Sequence, residues 1–177
     1  MRAASGFLLF LLAFALREGG YPTYWFGVLA VAAAVGGFLG DVVAPRLSVR
    51  REENVVFGAL IGAGVGALCA LVAFELFVIA LFVALAGMAT ESGRLAFQSL
   101  MQRRAPPGAH GRVFVRYEVL FQLAWVAGAF IPAILPLRFR TGILVLAVLY
   151  IVFGLSIVAW PHWSRRAPQP EIEPDST

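Results

Sequence analysis

The chain has 177 residues, 60% of them hydrophobic, 13% aromatic and only 14% charged, with a net charge of +4. A water-soluble domain carries roughly a quarter charged residues, so this composition and a mean hydropathy of +0.84 exclude one and place the chain in a lipid bilayer. All fourteen basic residues are arginines, and they fall mainly between apolar runs, which excludes a nucleic-acid surface.

Taken in order, the apolar segments are Ala3 to Leu16, Tyr24 to Val43, Val55 to Phe74, Leu76 to Leu100, Val113 to Leu135 and Thr141 to Trp160. None alternates with the period of two that a barrel strand needs, and an open strand edge is unsatisfied in lipid. All six are therefore expected to be helices of one all-α membrane bundle spanning residues 1–163. The first segment is short for a hydrocarbon core of about 30 Å, and reads as a span whose beginning is missing. Residues 164–177, rich in proline and acids, are expected to form a disordered cytoplasmic tail.

With six crossings, Arg2, Arg46, Arg50, Arg51, Arg103, Arg104, Arg112, Arg116, Arg165 and Arg166 fall on one side, against Arg17, Arg138 and Arg140 on the other. That asymmetry puts both termini in the cytoplasm of a multi-pass cell-membrane protein. Gly58, Gly62 and Gly66, four apart in the third segment, make a stripe on which another helix is expected to pack. Gly64 is as readily a packing residue as a common small residue, and Pro132 and Pro136 mark a kink or frayed end of the fifth segment.

The stretch Gly36, Gly37, Phe38, Leu39, Gly40, Asp41, followed by Arg46 and Arg50, joins a closely packing helix end to an acid at the membrane boundary and a basic loop. Asp41 there is either a gating charge or a solvated loop charge. Glu91 and Arg94 share a helix face at i, i+3 inside the fourth segment, where an isolated ion costs about 2.5 to 3.5 kcal/mol. The pair must face protein or water.

Arg112 and Arg116, four apart, share a face at the start of the fifth segment while Glu118 points elsewhere; snorkelling to the interface accounts equally for Arg112. Gln122 and Trp125, near the middle of that helix, either line a cavity or pack against a neighbour. His110 and His162 lie outside the spans and Cys69 stands alone, so no metal, cofactor or enzymatic nucleophile–base pair is expected.

Gly37-x-Leu39-x-Asp41 with Arg46 resembles the loop motif of the major facilitator superfamily, in the copy between its eighth and ninth helices. The run Glu91 to Leu100, then Arg103, Pro106, Gly111-Arg112 and Phe121-Gln122 to Pro132, is similar to the tenth helix, loop and eleventh helix of bacterial drug-efflux-like members, while Val42 to Pro45 departs from the family pattern. The resemblance implies the carboxyl-terminal six-helix half of a twelve-helix exporter of apolar or amphiphilic small molecules. Its partner would be a second six-helix half or another copy of itself. It further implies a cytoplasmic gate of ion pairs formed by Asp41, Arg46, Glu91 and Arg94, with Arg112, Arg116 and Glu118 at the same entrance. A purely architectural ion pair, in a truncated remnant or interaction module that transports nothing, is the alternative.

Overall fold

The computed structural model describes residues 1–47, 52–73, 75–104, 110–135 and 137–164, with side-chain surroundings for 1–42, 56–73, 75–99, 115–135 and 137–157. These residues form six helices: α1 (Arg2–Glu18), α2 (Tyr24–Leu47), α3 (Glu52–Val72), α4 (Leu76–Arg104), α5 (His110–Ile134) and α6 (Phe139–Ser164). No strand occurs among the described residues. Four stretches are long and apolar enough to cross a membrane, Tyr24–Val42, Leu76–Ser99, Val115–Ile134 and Phe139–Ile157; Val56–Val72 is a shorter apolar helix.

The helix ends follow local chemistry. α1 runs to Glu18, two residues beyond the expected limit, and stops where Gly20 takes a φ of 65°. The Tyr21 amide then donates to the Leu16 carbonyl at 3.1 Å and the Gly20 amide to Arg17 at 3.3 Å, the paired bonds of a glycine-terminated helix. α5 ends at Ile134, two residues past Pro132, which has no N–H to continue the ladder. α6 runs to Ser164, which takes the first residue of the tail expected at 164–177 into the helix; residues 165–177 and Pro136 lie outside the described residues.

Buried positions recur with helical period. Ala4, Phe7, Leu8, Leu11 and Leu12 on α1, Ala59, Ala63, Ala67 and Ala70 on α3, Ile79, Phe82, Val83, Ala86 and Ala89 on α4, and Ile143, Leu146, Ala147 and Tyr150 on α6 make one core. α2 and α5 give it little: Leu29 and Ala129 are their buried apolar residues.

Three close packings dominate, α2 on α4, α1 on α5 and α3 on α6, with α3 also against α4. Small residues make the approach possible where lipid provides no hydrophobic drive between helices. A Cβ at Gly36 would run into the Ala84 backbone, one at Gly87 into Ala33, and one at Gly40 would sit 2.8 Å from the Met88 carbonyl. Because Gly36, Gly40 and Asp41 advance along α2 as their partners Ala84, Met88 and Arg94 advance along α4, the two helices run parallel. At the other seam, Gly6 abuts the Trp125 carbonyl and Gly128 the Ala3 carbonyl.

The pairings have an internal symmetry. Exchanging α1 with α4, α2 with α5 and α3 with α6 turns the α1/α5 contact into α4/α2, keeps α3/α6, and turns α3/α4 into the lesser contact α6/α1. The chain reverses at each connection, so the two three-helix units run in opposite directions.

The stripe on α3 is corrected in part. Gly66 packs, with a Cβ there 3.4 Å from the Phe82 backbone and 3.1 Å from Leu85, but Gly62 reaches only the tip of Leu85 at 3.9 Å and Gly58 meets nothing within 4 Å. A repeat of four lags the 3.6-residue turn, so the stripe drifts off the contact. Gly64 packs instead against Ile151 of α6.

Candidate functional site

The parallel course of α2 and α4 brings Asp41 and Arg94 to the same end of the bundle. Gly37 lets α4 come close enough that a Cβ would lie 3.3 Å from the Glu91 side chain. Arg94 is the centre of the cluster: its Nε donates to Glu91 Oε2 at 2.5 Å, and its Nη2 lies 3.5 Å from Asp41 Oδ1. The first bond joins two residues one helical turn apart, and the second crosses between helices.

A third helix joins from a direction that sequence reasoning used only for orientation. Arg2 of α1 places Nη1 3.9 Å from Glu91 Oε1, so the two oxygens of one carboxylate face arginines on different helices. Glu91 and Arg94 are half-buried, with side chains 22% and 29% exposed, and Asp41 is exposed, at 44%. Arg2 was legible in principle: it stands one turn before Ser5 on the polar edge of α1, opposite the Phe7, Leu8 and Leu11 face.

These charges line an open cavity of about 660 Å³ between α1, α2 and α4. Ala33, Ala34, Gly37, Phe38 and Gly87 line it as well, together with the polar residues Ser5 and Thr90. Each hydroxyl donates to its own helix backbone, Ser5 to the Arg2 carbonyl and Thr90 to Ala86, leaving oxygen lone pairs free to accept.

α5 adds a second polar feature. Gln122 Nε2 donates to Glu118 Oε1 at 3.2 Å, on a helix exposed along most of its length. Phe97 of α4 meets α5 edge-on, its ring 5.1 Å from those of Tyr117 and Phe121. Glu118 is thereby brought within electrostatic reach of Arg94.

Of the residues expected at the gate, the structure joins Asp41, Glu91 and Arg94. The side chains of Arg46 and Arg112 lie outside the described residues. Arg116 is exposed and, among the described residues, without an ion-pair partner, and Glu118 pairs with neutral Gln122 in place of an arginine. Neither Gln122 nor Trp125, expected as cavity-lining residues, lines the cavity between α1, α2 and α4; Gln122 is exposed, and Trp125 is half-buried with its backbone against Gly6. No three His, Cys, Asp or Glu side chains come together among the described residues to hold a metal ion.

No family model matches the chain, and no solved structure matches it. Over 127 residues, 70% of the chain, it is 29% identical to the uncharacterized protein ML2143 of Mycobacterium leprae (strain TN). The matched stretch is 22% of that protein, so the chain spans about a fifth of the length of the curated relative it matches.

Proposed function

We propose that this chain is one six-helix bundle of a major-facilitator-type secondary transporter in the cell membrane, with both termini cytoplasmic. It exports an apolar or amphiphilic small molecule by alternating access with a second six-helix bundle. The observation that carries the reading is the ion chain Asp41, Arg94, Glu91 across the close α2–α4 seam, at the end of the bundle where the arginines accumulate.

Two features of the fold support it. The exchange of α1–α2–α3 with α4–α5–α6 is the symmetry of inverted three-helix repeats, the construction of each half of such transporters. α2 and α5, equivalent under that exchange, are the least covered long helices, with 17% of each apolar window buried against 39% for α4. α2 lines the polar cavity and α5 packs on α1, which also lines it, so a second bundle would cover both. Most of the Mycobacterium leprae relative lies outside the matched stretch, which leaves length for such a bundle.

In mechanism, the ion chain supplies the differential interaction that two alternating states require. With the cytoplasmic side closed, Arg94 satisfies Glu91 and Asp41 together. Opening separates α2 charges from α4 charges and gives them to water, at a cost that the substrate or the partner bundle must offset.

The test is uptake of a fluorescent amphiphile into energised inside-out vesicles from cells expressing the chain. Uptake above that of vesicles without the chain, lost in Arg94→Ala and retained in the exposed control Val148→Ala, is expected. Uptake equal in wild type, Arg94→Ala and empty vesicles would overturn the reading.

A further inference from the structure

We infer that the cavity between α1, α2 and α4 binds an amphiphile whose head carries both an anionic group and a primary ammonium, Arg2 taking the first and Asp41 the second. The inference deepens the transport reading by naming the class of its substrate, and it rests on that reading for the cargo role alone.

The charges lining the cavity form an alternating chain, Arg2, Glu91, Arg94, Asp41. Its inner members satisfy each other, with Glu91 and Arg94 meeting at 2.5 Å. The ends are loose. Among the described residues Arg2 has one ion-pair contact, at 3.9 Å, and Asp41 one, at 3.5 Å, against about 2.7–2.9 Å for a charge-assisted hydrogen bond. The Arg2 side chain is only 27% exposed, yet its guanidinium donates no hydrogen bond to a described residue. A covered guanidinium with its donors unused is costly, and an anion brought to it removes that cost. At the other end, Asp41 is an exposed acceptor on α2.

Both loose ends line the same cavity, and their signs are opposite. An anion alone would serve Arg2 and be repelled by Asp41, and a cation alone would do the reverse. A head with both charges closes the chain into a ring. Ser5 on α1 and Thr90 on α4 select the kind of cation. Their hydroxyls already donate to backbone carbonyls, so what they offer a ligand is lone pairs. A primary ammonium has three N–H groups to share among Asp41 and such acceptors; a quaternary one has none.

The cavity's 660 Å³ falls within the roughly 300–1,000 Å³ of small-molecule sites, far more than an inorganic ion fills. Ala33, Ala34 and Phe38 of α2 give it an apolar side, which suits an apolar body behind the charged head. Binding also bears on the seam. Arg94 reaches Asp41 from α4, so an ammonium that takes Asp41 weakens the contact crossing between α2 and α4. The ligand itself then offsets part of the cost of opening.

The experiment is equilibrium binding to the full chain in phosphatidylcholine nanodiscs near neutral pH, with empty nanodiscs subtracted. Three probes carry similar chains: α-aminododecanoic acid has both charges, its N-acetyl derivative the anion alone, and dodecylamine the ammonium alone. The zwitterion is expected to bind at least about ten-fold more tightly than either. Arg2→Gln should erase its advantage over dodecylamine and keep that over the N-acetyl derivative. Asp41→Asn should do the converse, and Val148→Ala should change neither. Equal binding of the three probes to the wild type, or an unaltered preference in both variants, would overturn the inference, and the wild-type series decides even if a variant misfolds. Phosphatidylethanolamine, whose head has the same ammonium and anion, separates the two sources of this chemistry. If mixing it in equal parts into the nanodiscs weakens zwitterion binding roughly ten-fold, the site stands and belongs to the lipid head; unchanged binding gives it to the free amphiphile. Binding requires no export, so zwitterion preference with no uptake would sink the transport reading alone, and uptake without that preference would sink the zwitterion site alone.

Discussion

In α2 and α4, glycines at 36, 40 and 87 let two helices touch backbone to backbone; in α1 and α5, Gly6 and Gly128 do the same. The two seams exchange under the internal symmetry, yet they are charged differently. The first ends in a chain of ions, Asp41, Arg94 and Glu91, and the second in a neutral-partnered acid, Glu118 with Gln122. Close packing is thus the common scaffold, and the polar residues set on it differ: one seam holds ion pairs that cross between helices, the other an acid whose partner is a neutral amide on its own helix.

The sharpest way to break the comparison is to pry each seam apart. Gly36→Leu or Gly128→Leu places a side chain inside a neighbouring backbone and should destabilise the bundle by about 3 kcal/mol or more, read as a fall in the thermal midpoint of the purified protein. Gly58→Leu, on the same kind of apolar helix but with nothing within 4 Å, should leave that midpoint unchanged. Equal sensitivity at Gly36 and Gly58 would show that the seams are not special.

Next in size is the bridge between seams. Phe97→Ala removes the edge-on contacts to Tyr117 and Phe121 and opens a void, with an expected loss of about 3 kcal/mol. Phe97→Leu should recover part of it. If Phe97→Ala is silent, α4 and α5 are held by something other than this ring.

A smaller effect separates charge from geometry in the ion chain. Arg94→Lys keeps the charge but loses the planar fork that reaches Glu91 through Nε and Asp41 through Nη2. Amphiphile uptake should fall substantially while stability falls by about 1 kcal/mol. Full uptake in Arg94→Lys would mean that a point charge suffices and the bridging geometry is incidental.

Much of this arrangement was legible in the sequence, and the reasons it was incomplete are physical. Six apolar runs mark six helices, four of them long and apolar enough to cross a membrane, and the i, i+3 spacing of Glu91 and Arg94 fixes a shared face. Which glycines form seams was less legible. Gly58, Gly62 and Gly66 look like a contact stripe by spacing alone, but the partner helix decides, and it meets α3 only near Gly66. Gly6 and Gly128 show no stripe at all, since each helix of that seam supplies a single glycine at the close approach. Arg2 was missed because a basic residue before an apolar run reads as an interfacial anchor. Only the placement of α1 beside α4 reveals Glu91 as its neighbour.

The smallest expected effect lies in the core behind both seams. The Tyr150 hydroxyl is buried and, among the described residues, without a hydrogen-bond partner. Tyr150→Phe should therefore leave stability unchanged or raise it slightly, by up to about 1 kcal/mol. A loss of more than that would mean that the hydroxyl has a partner in the membrane.

The central claim is that the face carrying both polar features meets water or a second bundle, and not lipid. It is tested most directly by single cysteines introduced at Gln122 on α5 and Val148 on α6, both exposed on the isolated bundle, in a Cys69→Ala background. In native membranes the account predicts that a membrane-impermeant, water-soluble thiol reagent modifies Gln122→Cys and spares Val148→Cys, while a lipid-phase quencher silences a fluorophore at 148 and not at 122. If both positions resist the aqueous reagent and both are quenched from the lipid, the polar face is lipid-facing and the account is wrong.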